Sequence, residues 1–377
     1  MFSDISTLKE GVELPEVVLK NVGKKFNGIT ALEDINITFE DGEYACVLGP
    51  TGSGKTTLLK VIAGLIEPDR GEVQIDGKSV RGVPPEARGA VYMHQQYALF
   101  PHLTVSQNIS FGLLARGVGE EDAMRRVLEV LEIVKLGKWA DAYPRELSGG
   151  MQQRVALARC LATGAKLLLL DEPLGALDAR LRLEVRSELA RIAEELNLTV
   201  IHVTHDQSEA MSLADKLVLL RNGRILQTGP PEEVYLKPNG IFSAYFVGES
   251  ILLEGVIKRI NRNSVFIELR NGIVVEAPYE EGFREGDLAV AVVRCEDIIV
   301  NEGPLMGLLK EISFLGGFSK IVFELPGDMK IPVNIPLTDF IKSDFRIGMA
   351  LQLTIPRERI RLFKYPEIGI AKEIEAV

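Results

Sequence analysis

Apolar residues recur along this chain in two rhythms. Short runs at Tyr44–Leu48, Leu167–Leu170 and Thr199–Val203 read as strands, and the four apolar residues in a row at Leu167–Leu170 as one buried on both faces of a parallel sheet. Elsewhere the period lengthens to that of a helix. Ala123–Leu136 places Val127, Leu128, Leu131 and Val134 on one face, Val155–Leu161 carries a second stretch, and Leu181, Val185, Leu189, Ile192 and Leu196 form a stripe behind Asp178, a candidate N-cap. Residues 15–87 alternate strands and turns around one helix, with turn signals of the hairpin kind at 40–43 and 75–78. Residues 88–162 read as mostly helical. Residues 163–240 return to strand and helix, ending in the hairpin Lys216–Leu220, Asn222-Gly223, Arg224–Gln227.

Beyond about residue 248 the pattern changes to short alternating strands with turns at Asn271-Gly272, Glu281-Gly282, Glu285-Gly286, Gly316-Gly317 and Gly327-Asp328. That density of strands and turns predicts a small all-β, OB-like barrel. The chain is therefore expected to hold two domains, an α/β unit over residues 1–245 and a β unit over 246–377.

The chemistry sits where the buried strands end. Gly49-Pro50-Thr51-Gly52-Ser53-Gly54-Lys55-Thr56 follows the Tyr44–Leu48 run and opens a helix, which is the context a phosphate-binding P-loop requires. Glycines at 49, 52 and 54 let backbone N–H groups turn inward, and the helix N-terminus at Lys55, Thr56 and Thr57 adds partial positive charge. Lys55 reaches phosphate oxygens and the Thr56 hydroxyl suits Mg²⁺, so ATP and Mg²⁺ are the expected cofactors. Asp171 and Glu172 emerge at the carboxyl end of Leu167–Leu170. Asp171 is placed to hold the metal, and Glu172 to take a proton from the attacking water. The competing reading of this pair is an acidic helix cap.

Leu147-Ser148-Gly149-Gly150-Met151-Gln152-Gln153-Arg154 resembles the signature motif of ABC-type ATPases, with Met151 in place of the family's glutamine. Ser148, Gly149 and Gly150 still offer a hydroxyl, exposed N–H groups and a helix N-terminus to a γ-phosphate. In the same order, Gln95 resembles the Q-loop glutamine, Gly175-Ala176-Leu177-Asp178 the D-loop and His205 the switch histidine. The resemblance implies that Gln95 contacts metal and water, that His205 steadies the γ-phosphate and Glu172, and that Asp178 faces nucleotide. It implies a helical subdomain over 88–162 and an aromatic ring, Phe26, against adenine. Taken alone, Gln95 reads as surface and His205 as structural, and core packing is the alternative for Phe26.

Val293-Arg294-Cys295-Glu296-Asp297-Ile298 is similar to a segment of the C-terminal, TOBE-type domain of maltose, polyamine and iron(III) importer ATPases, which that family uses for dimerisation and regulation. The run from Tyr97 to Ile109, directly after Gln95, resembles the surface on which importer ATPases dock two transmembrane permease subunits; a staple between subdomains is the alternative. The implied assembly is a head-to-tail homodimer on the cytoplasmic face of the cell membrane, coupled to an extracytoplasmic solute-binding protein. Phe246-Val247-Gly248-Glu249-Ser250 leans the cargo toward the polyamine, iron and anion group over sugars. A soluble ABC ATPase of DNA repair or translation is the reading from another class.

Composition narrows the classes further. A net charge of −10 and a pI near 5.2 argue against a nucleic-acid partner. Acidic residues outnumber basic ones beyond residue 240 as well, which removes the oligonucleotide groove an OB-like fold could otherwise carry. Cys46, Cys160 and Cys295 are scattered, without metal-ligand spacing, and read as buried small hydrophobes. Met1–Leu14 includes Asp4, Glu10 and Glu13 and lacks the apolar core of a signal peptide. No run approaches the roughly 18 apolar residues of a spanning helix.

Overall fold

A computed structural model describes residues 15–175 and 179–375. The expectations placed on Met1–Leu14 and on Asp178 lie outside the described residues, as does the side chain of Leu181. The chain divides into two compact units, one ending at Val234 and the other spanning Tyr235–Glu375.

The first unit is built on two sheets. An antiparallel sheet has the order β2 (Ile29–Phe39), β1 (Val17–Phe26), β4 (Arg70–Ile75), β5 (Lys78–Ser79). A second sheet has the order β10 (Arg224–Gly229), β9 (Lys216–Arg221), β3 (Tyr44–Leu48), β8 (Thr199–Thr204), β7 (Leu167–Asp171), β6 (Ala90–Met93). All of its strands except β10 run parallel. The three apolar runs read from the sequence are its central strands, and every residue of them is buried. The turn at 40–43 does not make a hairpin, because β2 and β3 belong to different sheets; the turn at 75–78 does.

Helix α1 (Lys55–Ala63) packs between the sheets: Leu58, Leu59 and Ile62 meet Leu19 and Ile35 of one and Val47, Leu169 and Ile201 of the other. Helices α2 (Val105–Ala115), α3 (Glu120–Ile133) and α4 (Gly149–Ala162) occupy the segment read as helical. Helix α3 buries Val127 and Leu131 as expected, but Leu128 is 61% exposed and Val130 and Ala123 complete the inner face. A span of Val127, Leu128, Leu131 and Val134 is wider than this helix covers. Helices α5 (Ala179–Glu195) and α6 (Gln207–Leu213) follow β7 and β8, with Val185, Leu189 and Ile192 buried on α5.

The register aligns the functional ends. Leu48 lies beside Thr204, Asp171 beside Val203 and Met93 beside Leu170. The loops after β3, β7, β6 and β8 therefore open on one sheet edge, where ligands of parallel α/β sheets bind.

The second unit is all-β apart from short helices. Nine strands among its described residues form two antiparallel sheets, one of five strands and one of four. Ile257, Val265 and Ala291 of the first sheet and Leu309, Phe323 and Val333 of the second share one core. The helix Ile241–Phe246 packs Ile241 and Ala244 against Val290, Val292 and Ile370 of this same unit.

Candidate nucleotide site

The P-loop leaves β3 and enters α1 through two glycines that admit no side chain. A Cβ on Gly49 would lie 2.1 Å from the Leu220 carbonyl oxygen, and one on Gly54, at φ 105°, 2.3 Å from that of Ala31. Lys55 is buried within the loop it serves, donating to the carbonyls of Gly49 and Pro50 at 2.8 Å each. Burial lowers its pKa, and the carboxylates of Glu172 and Asp171 pull it back up. Ser53 Oγ is buried beside it without a hydrogen-bond partner, a polar atom inside a cradle of backbone amides.

An open cavity of about 520 Å³ lies over this loop, lined by Thr51, Gly52, Ser53, Gly54, Lys55, Thr56 and Thr57 together with Gln95, Glu172 and His205. Four separate loops thus converge as the motifs required. Gln95 Nε2 donates to Glu172 Oε2 at 2.7 Å, and His205 Nδ1 stands 3.2 Å from Glu172 Oε1. Glu172 itself has φ 47°, a left-handed conformation that few non-glycine residues adopt.

Asp171 lies deeper. Its Oδ1 accepts from Thr56 Oγ1 at 2.9 Å and its Oδ2 from the Tyr92 hydroxyl at 2.6 Å. Burial and the contact with Asp171 drive the Tyr92 pKa far upward. Sequence reasoning missed Tyr92. The available signal was a phenol in the otherwise apolar strand Ala90–Met93, since a buried tyrosine hydroxyl needs a partner. The segment holding His205 is also braced: Asp206 caps α6 through Ser208 N and Glu209 N, and buried Glu209 accepts from Thr204 Oγ1 at 2.6 Å.

The signature residues do not line this cavity. Ser148 caps α4 and accepts from Met151 N, with Ser148 and Gly149 exposed and a Cβ on Gly149 meeting nothing within 4 Å. Phe26 is absent from the lining as well; it is 41% exposed at the end of β1, with Lys24 Nζ 5.5 Å from its ring centroid, which removes the core-packing reading.

The run after Gln95 is half-buried at Tyr97, Leu99 and Phe100. Phe100 packs on Phe111 at 4.4 Å, with the Arg159 guanidinium 4.8 Å from its ring. Buried Asn108 pins the loop by accepting from Phe100 N and donating to the carbonyls of Phe100, Leu103 and Thr104. A groove of about 190 Å³ opens beside it, lined in part by Tyr92, Tyr97, Ala98, Phe111 and Arg159.

Comparisons with known proteins identify the family. Residues 32–175 match the ABC transporter family. A spermidine/putrescine import ATP-binding protein PotA from Rubrobacter xylanophilus is 42% identical over 82% of this chain and 84% of its own length. One from Methylococcus capsulatus is 40% identical over 86% and 84%. Among solved structures, the dimeric post-hydrolysis state of the ATP-binding cassette MJ0796 with ADP and Pi covers 57% of this chain and 98% of its own, at 34% identity and a TM-score of 0.52. The chain belongs to the family of ABC transporter import ATP-binding proteins and is an ATPase.

Proposed function

We propose that this protein powers polyamine import, hydrolysing ATP on the cytoplasmic face of a membrane that its permease partners span. The observation that carries the proposal is Glu172, held by Gln95 and His205 at the mouth of a P-loop cavity. ATP binds with its phosphates on the loop amides of Gly49 to Gly54 and on Lys55, and Phe26 lies against the adenine. A water on the γ-phosphate gives its proton to Glu172 as its oxygen bonds to phosphorus and the bond to ADP breaks. His205 and Gln95 keep the carboxylate aimed.

Mg²⁺ fits the residues present: a hydroxyl and a carboxylate, both hard oxygen donors, meet at Thr56 and Asp171, and Gln95 lines the same cavity as Thr56. Among the described residues no group of three or more His, Cys, Asp or Glu side chains could hold a metal ion alone, so the ion would share nucleotide oxygens. When bound, it would neutralise phosphate charge.

Ser148, Gly149 and Gly150, which do not line their own cavity, supply the γ-phosphate contacts of a second copy in a head-to-tail dimer. The dimeric state of the related cassette supports this arrangement. Among the described residues no helix is long and apolar enough to cross a membrane, so transport requires permease subunits. Their docking place is the groove beside Tyr97, Leu99 and Phe100. A polyamine cargo is supported by the spermidine and putrescine import of its relatives and by the Phe246–Ser250 segment.

Reconstitution with the permease subunits and binding protein in vesicles tests this reading. ATP-driven uptake of spermidine or putrescine is expected. Uptake of a sugar but no polyamine would overturn the cargo, and failure to associate with any permease would overturn the importer role.

A further inference from the structure

Tyr92 takes no part in the mechanism above, yet it makes one of the shortest side-chain contacts at the site. It lies on β6, beside Leu169 of β7, and its hydroxyl crosses to Asp171 Oδ2 at 2.6 Å while Thr56 Oγ1 donates to Oδ1 at 2.9 Å. The two donors hold opposite oxygens of one carboxylate, which fixes its rotation. Donation by Thr56 leaves the lone pairs of its oxygen directed elsewhere, so Thr56 can serve a metal while still bonded to Asp171. The phenol is therefore the group that orients Asp171 without competing for the ion. The same strand leads into Gln95 three residues later, so one element sets both the carboxylate and the glutamine.

We propose that Tyr92 is a positioning residue for divalent-cation binding, acting through Asp171. The inference rests on the proposed ATPase site and names a residue outside its P-loop, signature, Gln95 and His205 contacts. A hydrogen-bonded partner behind a ligating carboxylate typically contributes about 10- to 100-fold in metal affinity. A tyrosine with a merely structural role would affect nucleotide binding equally with and without metal.

The test is ATP binding to the full chain by calorimetry, with EDTA and across a Mg²⁺ series, for the wild type and Tyr92→Phe. The Phe variant keeps the ring and loses only the hydroxyl. In EDTA its ATP affinity should stay within about twofold of wild type, while the Mg²⁺ concentration giving half the metal-dependent gain rises by about tenfold or more. Superimposable Mg²⁺ curves, or an equal loss with and without Mg²⁺, would overturn the proposal. If Tyr92→Phe does not fold, Tyr92→Leu carries the same expectation and the same refutation. Absence of ATP binding in the wild type would instead refute the nucleotide site itself, a result separable from a failure at Tyr92.

Discussion

A carboxylate that must take a proton from water is useful only if it stays aimed, and Glu172 is aimed by three constraints: its φ of 47°, Gln95 on one oxygen and His205 beside the other. The left-handed backbone costs about 1 kcal/mol or more, which the surrounding loops must offset. A second histidine shows the opposite use of the residue. His202, three residues earlier on β8, is wholly buried, with Nδ1 3.0 Å from the Tyr44 hydroxyl. Its Nε2 stands 3.7 Å from Glu209 Oε2, too far for a hydrogen bond, and Thr204 already donates to that oxygen. Burial pushes the His202 pKa from 6.5 down to about 3. Between those values the unfolded chain binds a proton that the folded chain does not. Stability from this group is complete above pH 6.5 and is lost as pH falls toward 3, at up to about 1.4 kcal/mol per pH unit. Glu209, raised by its own burial, works in the other direction at acid pH, so the comparison must be with a variant. Chemical denaturation at pH 7 and pH 5 should show a smaller loss of stability in His202→Gln than in the wild type; equal losses would contradict a neutral buried His202.

At the scale of elements, the helix Ile241–Phe246 decides where the cassette stops. It follows Tyr235 and packs within the second unit, where Arg294 donates to the carbonyls of Ala244 and Tyr235 and to Ser250 Oγ. The Arg294 guanidinium also stacks 4.2 Å from the Tyr235 ring. The break expected at 245/246 falls inside this packed segment. A fragment ending at Gly248 would carry the apolar face of Ile241, Phe242 and Ala244 without its partners, whereas one ending at Leu236 would not. On size-exclusion chromatography the shorter fragment should run as a soluble ATP-binding species and the longer one should aggregate. Identical behaviour of the two would place the boundary elsewhere. The difference between the two boundaries has a physical cause. Composition shifts to strand-and-turn only after residue 248, while membership of a unit depends on which side chains Ile241 and Ala244 meet, and no local pattern records that. Central strands were legible because runs such as Leu167–Leu170 can only be buried on both faces. The P-loop, Asp171 and Glu172 were legible because each follows a buried strand at one sheet edge, whereas Gln95 and His205 were singled out only by their resemblance to a family, since either alone reads as surface or structural. Tyr92 was not legible, because its partner Asp171 is distant in sequence and an apolar strand gives no sign of one hydroxyl's target.

At the scale of the whole molecule, the proposed reaction site needs two copies of the chain. Lys55, Thr56, Glu172, Gln95 and His205 line one cavity, with Asp171 bonded to Thr56, and Ser148 and Gly149 are exposed at the helix α4 terminus, outside that lining. A nucleotide closed between two copies satisfies both surfaces, and hydrolysis would then be the step that lets the copies separate. Glu172→Gln tests this most directly, because the amide keeps the side chain's size but takes no proton from water. Loss of a positioned general base should lower steady-state ATP hydrolysis by about 10²- to 10⁴-fold, while ATP binding is retained and the ATP-bound pair of chains accumulates on size-exclusion chromatography, with the permease subunits present if the isolated pair is weak. Near wild-type hydrolysis in Glu172→Gln, with no accumulated pair, would contradict the assignment of Glu172 as the base and the account built on it.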